Sequence, residues 1–293
     1  MTTIETAALP AVEAPSSPGR RRRVPASLSL YVGSTLLAVI LLAGLFLPLR
    51  YGATTLDTNA VSLPPSADHW FGTDEVGQDM FARTVRAART DLPLAIGGTA
   101  LATVLGVAGG LAVSSKRRWS EWIMRGLDAF QSLPLLILTI ALVVISNNNI
   151  VMVAVAVALV SGPFYIRIVR SQAVVVRESR FIEAAITSGA STTRVMWKHM
   201  LPNLRAVILA QTALTGAVAL LVVASLSFIG VGVVPPTPSW GAMIRGGAGQ
   251  LVTGQWWAAL FPGLALFSCI ISFNLIADGL RDRAGRRRSA GST

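Results

Sequence analysis

The chain has 293 residues, 53% of them hydrophobic and only 13% charged, with a mean hydropathy of +0.61. A soluble domain carries about 25% charged residues, so an ordinary soluble fold is excluded and the multi-span membrane class is indicated. The net charge of +11 does not mark a nucleic-acid binder, because the basic residues lie between and beyond the apolar runs rather than on a face interleaved with aromatics.

Residues 1–27 are rich in Ala, Pro, Ser and Thr and are expected to form a disordered tail. Arg20 to Arg23 then precede the first apolar run, 28–49. That run exceeds the roughly 7–15 residues of a secretory signal core, and no A-x-A site follows it, so it reads as a membrane anchor. Five more runs approach or exceed the roughly 20 residues that a bilayer core requires: 92–114, 122–145, 150–168, 207–234 and 257–277. The expected architecture is all-α with six transmembrane helices. With the N-terminus inside, 20 of the 25 Lys and Arg residues fall on the cytoplasmic side, leaving Arg50, Arg83, Arg86, Arg89 and Arg245 outside. Both termini are therefore expected in the cytoplasm.

The extracytoplasmic segment 50–91 is too long and polar for a tight turn, and Val76 to Arg89 fits an amphipathic helix on the outer surface. Its acidic residues lack the order of an EF-hand loop, so calcium is not expected. The two histidines, His69 and His199, fall on opposite sides of the membrane, and Cys269 stands alone in an apolar run. Neither a metal site nor a disulfide framework is expected. In the second run, Gly106 and Gly110 have the spacing of close helix packing, here within one subunit.

Asp128 sits about two turns into the third run, before Phe130-Gln131-Ser132-Leu133-Pro134. Two readings fit it: a structural intramembrane pair or coupling element, or a headgroup-level residue bonded near Arg125 and Trp122. No other acid is expected deep in a span. A proton- or sodium-driven carrier relies on such residues, so that class is disfavoured.

The core domain, 92–279, is interrupted by a polar loop, 172–205. From 176 to 205 it reads VRESRFIEAAITSGASTTRVMWKHMLPNLR. Helix is expected through Thr187 with Gly189 as its stop. Ser191 or Thr192 caps a second short helix to Met200, which Pro202 ends. Phe181, Ala184, Ala185 and Ile186 make a small apolar surface. By pattern alone this is a connector lying among headgroups.

After the fifth run, Pro235-Pro236-Thr237-Pro238 cannot be helix interior. It is read as external, either shaping the outer mouth or forming a stiff loop. Trp240, Trp256 and Trp257 are read as interfacial anchors. Residues 280–293 form a cytoplasmic tail whose end, RRRSAGST, is expected to be disordered.

Specific residues add a resemblance. Glu183-Ala184-Ala185, Gly189-Ala190-Ser191 and His199-Met200-Leu201-Pro202-Asn203 resemble the EAA loop of ABC-importer permeases. Leu226-Ser227-Phe228-Ile229-Gly230-Val231-Gly232-Val233, followed by Pro235-Pro236-Thr237-Pro238-Ser239-Trp240-Gly241, is similar to a signature of the oligopeptide/dipeptide/nickel branch. Phe71-Gly72-Thr73-Asp74-Glu75-Val76-Gly77-Gln78-Asp79 and the stretch from Trp256 to Asp282 resemble further family motifs in the same order. The likeness is to the second permease of a pair, with a type I importer fold. Two departures stand out: Gln78 where the family usually has Arg, and Ile186-Thr187-Ser188 in place of a more common Arg-Ala-Leu-like triplet.

The resemblance implies that the EAA loop docks on an ATPase, through Glu183, Ala184, Ala185, Gly189, Ala190, Leu201 and Pro202. It implies peptides as cargo, while the topology makes Pro235, Pro236, Pro238 and Trp240 the outer-mouth candidates. The implied partners are a second homologous permease, two ATPase subunits or domains and an extracytoplasmic substrate-binding protein in the cytoplasmic membrane of a prokaryote. A Walker A loop needs Gly-Lys followed by Ser or Thr. Lys116 follows Ser115 and Lys198 follows Trp197, so no cofactor is expected on this chain, and ATP and Mg belong to the partners. The alternative from another class is a channel or scaffold that does not use ATP. No span holds a His to serve as base, which disfavours an intramembrane hydrolase.

Overall fold

The computed structural model describes residues 26–115 and 118–290. The expected tail thus lies almost wholly outside the described residues, as do Lys116 and Arg117. The described chain is helical, and its only β-pairing is an isolated bridge between Thr73 and Asp79. Helix α1 is Ala26–Phe46, α2 Met80–Ala112, α3 Arg118–Gln131, α4 Leu135–Ile145 and α5 Ile150–Arg177. Then come α6 Arg180–Thr187, α7 Thr192–Arg194, a π-helical turn Val195–Met200, α8 Leu201–Ile229, α9 Trp240–Gln250 and α10 Trp257–Ala290. Five helical segments are long and apolar enough to cross a membrane, and the α3–α4 pair makes a sixth if counted as one bent span.

Helix α2 packs along α5 and against α8, while α1 and α10 run together and α10 also lies on α8 and α9. Close approach of α2 to α5 depends on small residues. A Cβ on Gly106 would sit 2.5 Å from the Tyr165 ring, and one on Gly110 would sit 2.6 Å from Val169. Membrane helices associate through such tight packing because lipid supplies no hydrophobic drive between them. Tyr165 adds polar contacts, donating to the Ile208 carbonyl at 3.0 Å and bonding the Thr212 hydroxyl at 2.9 Å.

Five expectations are corrected. The second span begins at Met80, not at 92. Asp79 caps it by accepting from the Ala82 amide at 2.7 Å, and the helix runs on through Pro93 without a break. The segment 76–89 is therefore not a separate helix, because from Met80 onward it belongs to α2. The third run is not one straight helix. It breaks at Ser132-Leu133-Pro134, and α3 and α4 meet at 81°. Pro134 lacks the N–H that a continuous helix would need there.

Pro202 does not end the second loop helix. It sits in the first turn of α8, and helix continues from Thr192 to Ile229. The π-helical turn just before it shifts the bonding register, with the Leu201 N–H donating to the Met196 carbonyl. Proline is tolerated where its missing N–H has no assigned acceptor. Finally, α10 runs on to Ala290, through most of the segment read as a disordered tail.

Candidate functional site

At one end of the bundle, α6, Gly189, α7 and the π turn form a compact elbow between α5 and α8. Ser179 precedes α6, whose C-terminus is closed by the Gly189 N–H bonding the Ile186 carbonyl at 2.9 Å and the Ala190 N–H bonding Ala185 at 3.0 Å. Gly189 has φ +83°, a left-handed conformation natural to glycine. Ser191 caps the next helix through the Arg194 amide at 3.4 Å. Ile182 is fully buried in a cluster with Leu111, Tyr165, Val169, Ala173, Val195, Met200 and Leu204. That cluster draws on α2, α5 and α8, so the elbow is fastened to three long helices.

The opposite face of the elbow is open. Glu183 and Ala184 are exposed, Ala185 and Ala190 are half-buried, and Phe181, Ile186 and Trp197 present large apolar groups. Leu201 is half-buried and Pro202 exposed at its edge. The sequence-predicted residues are thus exposed or half-buried, with Ile182 as the buried anchor that pattern reading missed. Phe181 and Ile182 are adjacent apolar residues, and their order alone does not declare which one points inward.

Asp128 lies on α3, before the bend, and its carboxylate pairs with Arg167 of α5. Arg170 adds a longer contact to Glu121 at 3.9 Å. These pairs tie α3 to α5, while Trp119, Trp122 and Ile123 of α3 stay exposed. The partner of Asp128 is Arg167, and Arg125 instead stacks over the Trp122 ring. Both carboxylate and guanidinium are substantially exposed on this chain.

At the other end, Arg86 and Arg89 of α2 donate to the Gly44 carbonyl at 2.8 and 2.6 Å and so satisfy the end of α1. The Phe71–Asp79 stretch forms a tight turn in which the Asp74 carboxylate accepts from the Val76 and Gln78 amides at 3.1 and 2.8 Å. Arg83 donates to Gln78 and lies 3.9 Å from Asp74. Where the family usually has a second Arg, Gln78 therefore accepts from the arginine that is present. His69 bonds Asp79 at 2.9 Å and stacks on Tyr51.

Pro235 and Pro236 are exposed and Pro238 is half-buried. Trp240 is fully buried rather than exposed as an interfacial anchor would be. Its backbone N–H donates to the Asp91 carboxylate at 2.8 Å and its indole N–H to the Thr84 carbonyl at 2.9 Å. Asp91 is equally buried, in the first half of α2. Trp257 is buried too, donating to the Thr73 carbonyl at 3.1 Å, and Trp256 alone of the three is exposed. Helix α9, unseen in the sequence, is held by these bonds against α2. A Cβ on Gly241 would run into the Ala224 carbonyl of α8.

Between the two ends, a cavity of about 520 Å³ lies among α5, α8 and α10. Its polar lining is Ser161, Gln211, Thr215 and Asn274.

A comparison with known proteins decides the family. Residues 88–289 match the binding-protein-dependent transport system inner membrane component. The chain belongs to this family. It is a permease, a multi-pass component of a transport system in the inner membrane. Dependence on a binding protein, with ATPases as the motor, is the general property of such systems.

The permease is similar to the probable D,D-dipeptide transport system permease protein of Escherichia coli, at 36% identity over 87% of this chain and 88% of the relative. It is also similar to a dipeptide transport system permease protein of Alkalihalophilus pseudofirmus, at 35% identity over 86% of this chain and 83% of the relative.

Proposed function

We propose that this permease moves di- and oligopeptides into the cell, paired with a second homologous permease. Two ATPase subunits holding ATP and Mg drive it, and an extracytoplasmic binding protein delivers the cargo. Both termini and the elbow lie in the cytoplasm, where the Lys and Arg bias puts them. The chain has no ATPase site of its own and holds no cofactor.

The observation that carries this reading is the elbow's two-sided construction. Phe181, Glu183, Ala184 and Ile186 face outward, while Ile182 is locked into a core shared with α2, α5 and α8. A surface that is free on one side and rigidly packed on the other transmits displacement, because packed cores do not deform continuously. Closure of the ATPase pair pulls on Glu183 and its neighbours, and Ile182 passes the motion to α5 and α8. Those helices border the central cavity, so its access switches sides. Gly189 supplies the turn that lets α6 lie across the helix ends. Pro235, Pro236 and Pro238 stiffen the outer mouth, with Trp240 acting beneath them as the pin of α9. The peptide cargo is supported by the relatives named for dipeptide transport.

The test is reconstitution of the permease pair, ATPases and binding protein in proteoliposomes. Uptake of a labelled dipeptide that requires both Mg-ATP and the binding protein is expected. Passive, ATP-independent flux would favour a channel instead.

A further inference from the structure

The cavity among α5, α8 and α10 is lined by residues that sit near the middle of three apolar spans. Its volume of about 520 Å³ falls within the about 300–1,000 Å³ typical of ligand pockets. Two features distinguish it from a packing gap. Its walls carry hydroxyl and primary amide groups in a region where apolar side chains would be the cheaper choice. Those groups are also poorly satisfied by the protein. The Ser161 hydroxyl is buried without a hydrogen-bond partner among the described residues. Gln211 is buried and reaches Thr215 at only 3.5 Å. Asn274 spends its amide N–H on the Ile270 carbonyl of its own helix at 2.9 Å, leaving its oxygen as an acceptor. No lining residue is charged.

We propose that this cavity contacts the peptide backbone of the cargo in transit, with Gln211 as its principal contact, and does so without reading side-chain charge. The proposal rests on the peptide-importer reading above. Primary amides offer a donor and an acceptor side by side, the complement of a peptide group. Hydroxyls of Ser161 and Thr215 adapt by rotation. With no fixed charge on the wall, acidic, neutral and basic peptides meet the same surface.

The experiment measures uptake of Ala-Ala, Asp-Ala and Lys-Ala by the full complex with its binding protein in proteoliposomes, alongside ATPase stimulation by liganded binding protein. Gln211→Leu is expected to lower uptake of all three about tenfold, the effect of leaving polar groups unpaired, with ATPase stimulation retained. Gln211→Glu, nearly isosteric, is expected to raise uptake of Lys-Ala relative to Asp-Ala. Unchanged uptake in Gln211→Leu, or a loss confined to one charge class, overturns the proposal. So does a parallel loss of ATPase stimulation, which assigns Gln211 to assembly or gating. Should Gln211→Leu not assemble, the Lys-Ala to Asp-Ala ratio of Gln211→Glu decides, and an unaltered ratio overturns the proposal. A wild-type complex that carries no dipeptide at all refutes the parent reading, an outcome distinct from a defect confined to the variants.

Discussion

The Asp91 carboxylate accepts the backbone N–H of Trp240 at 2.8 Å, across 149 positions of sequence and with both residues fully buried. The same tryptophan returns its indole N–H to Thr84, so α9 is pinned to α2 at two points about two turns apart. Asp91→Leu strips the acceptor from a buried N–H. The expected loss is about 1–3 kcal/mol, read as a lower thermal midpoint in detergent. Asp91→Asn keeps an oxygen in place and is expected to fall much less.

Close packing of α2 on α5 makes a second prediction. Gly110→Leu must displace Val169 or separate the helices, since even a Cβ would sit 2.6 Å away. Overpacking of this kind costs about 1–3 kcal/mol. Gly97→Leu, where a Cβ meets nothing within 4 Å, is expected to leave the midpoint unchanged. Folded yield and thermal midpoint of the two variants check this directly.

The anchor of the elbow is tested by Ile182→Ala. The residue is fully buried, and such truncations cost about 2–5 kcal/mol. Because the loss is confined to the cluster around Leu204 and Val169, backbone amides of α6 and the π turn are expected to exchange hydrogen faster while those of α9 do not. Equal protection in both regions would contradict the assignment of Ile182 as the elbow's anchor.

Asp128→Asn is expected to change little. Its pairing with Arg167 is largely exposed, and exposed ion pairs contribute about 0–1 kcal/mol. A thermal midpoint and peptide uptake near those of the wild type are the expected results. A large loss of uptake with an intact fold would move Asp128 from a fastening of α3 into the coupling route.

Much of this architecture could be read from local residue order. Apolar run length marks the membrane-crossing elements, Gly189 closes α6, and Ser191 caps α7, because each of these acts within a few residues of its own position. The features that escaped reading depend on partners remote in sequence. Asp91 looked like the end of a solvated segment, since nothing nearby announces Trp240. The two tryptophans, Trp240 and Trp257, looked interfacial because burial of an indole N–H requires an acceptor, supplied here by Thr84 and Thr73. Pro202 read as a stop because only the π turn before it frees the position. In the cavity, Ser161 is a polar residue in an apolar span. Gln211, Thr215 and Asn274 join it only through the packing of three helices.

The elbow is the proposed site where ATPase movement enters the permease. The most direct measurement compares wild type with Glu183→Lys and Gly189→Val for co-purifying ATPase and for Mg-ATP-dependent dipeptide uptake, at equal membrane insertion. Glu183 is exposed, and Gly189 has no neighbour within 4 Å of an added Cβ, so its defect would come from backbone conformation alone. Both variants are expected to insert normally, to retain less ATPase and to lose most uptake. Wild-type ATPase association together with normal uptake in both would contradict that role.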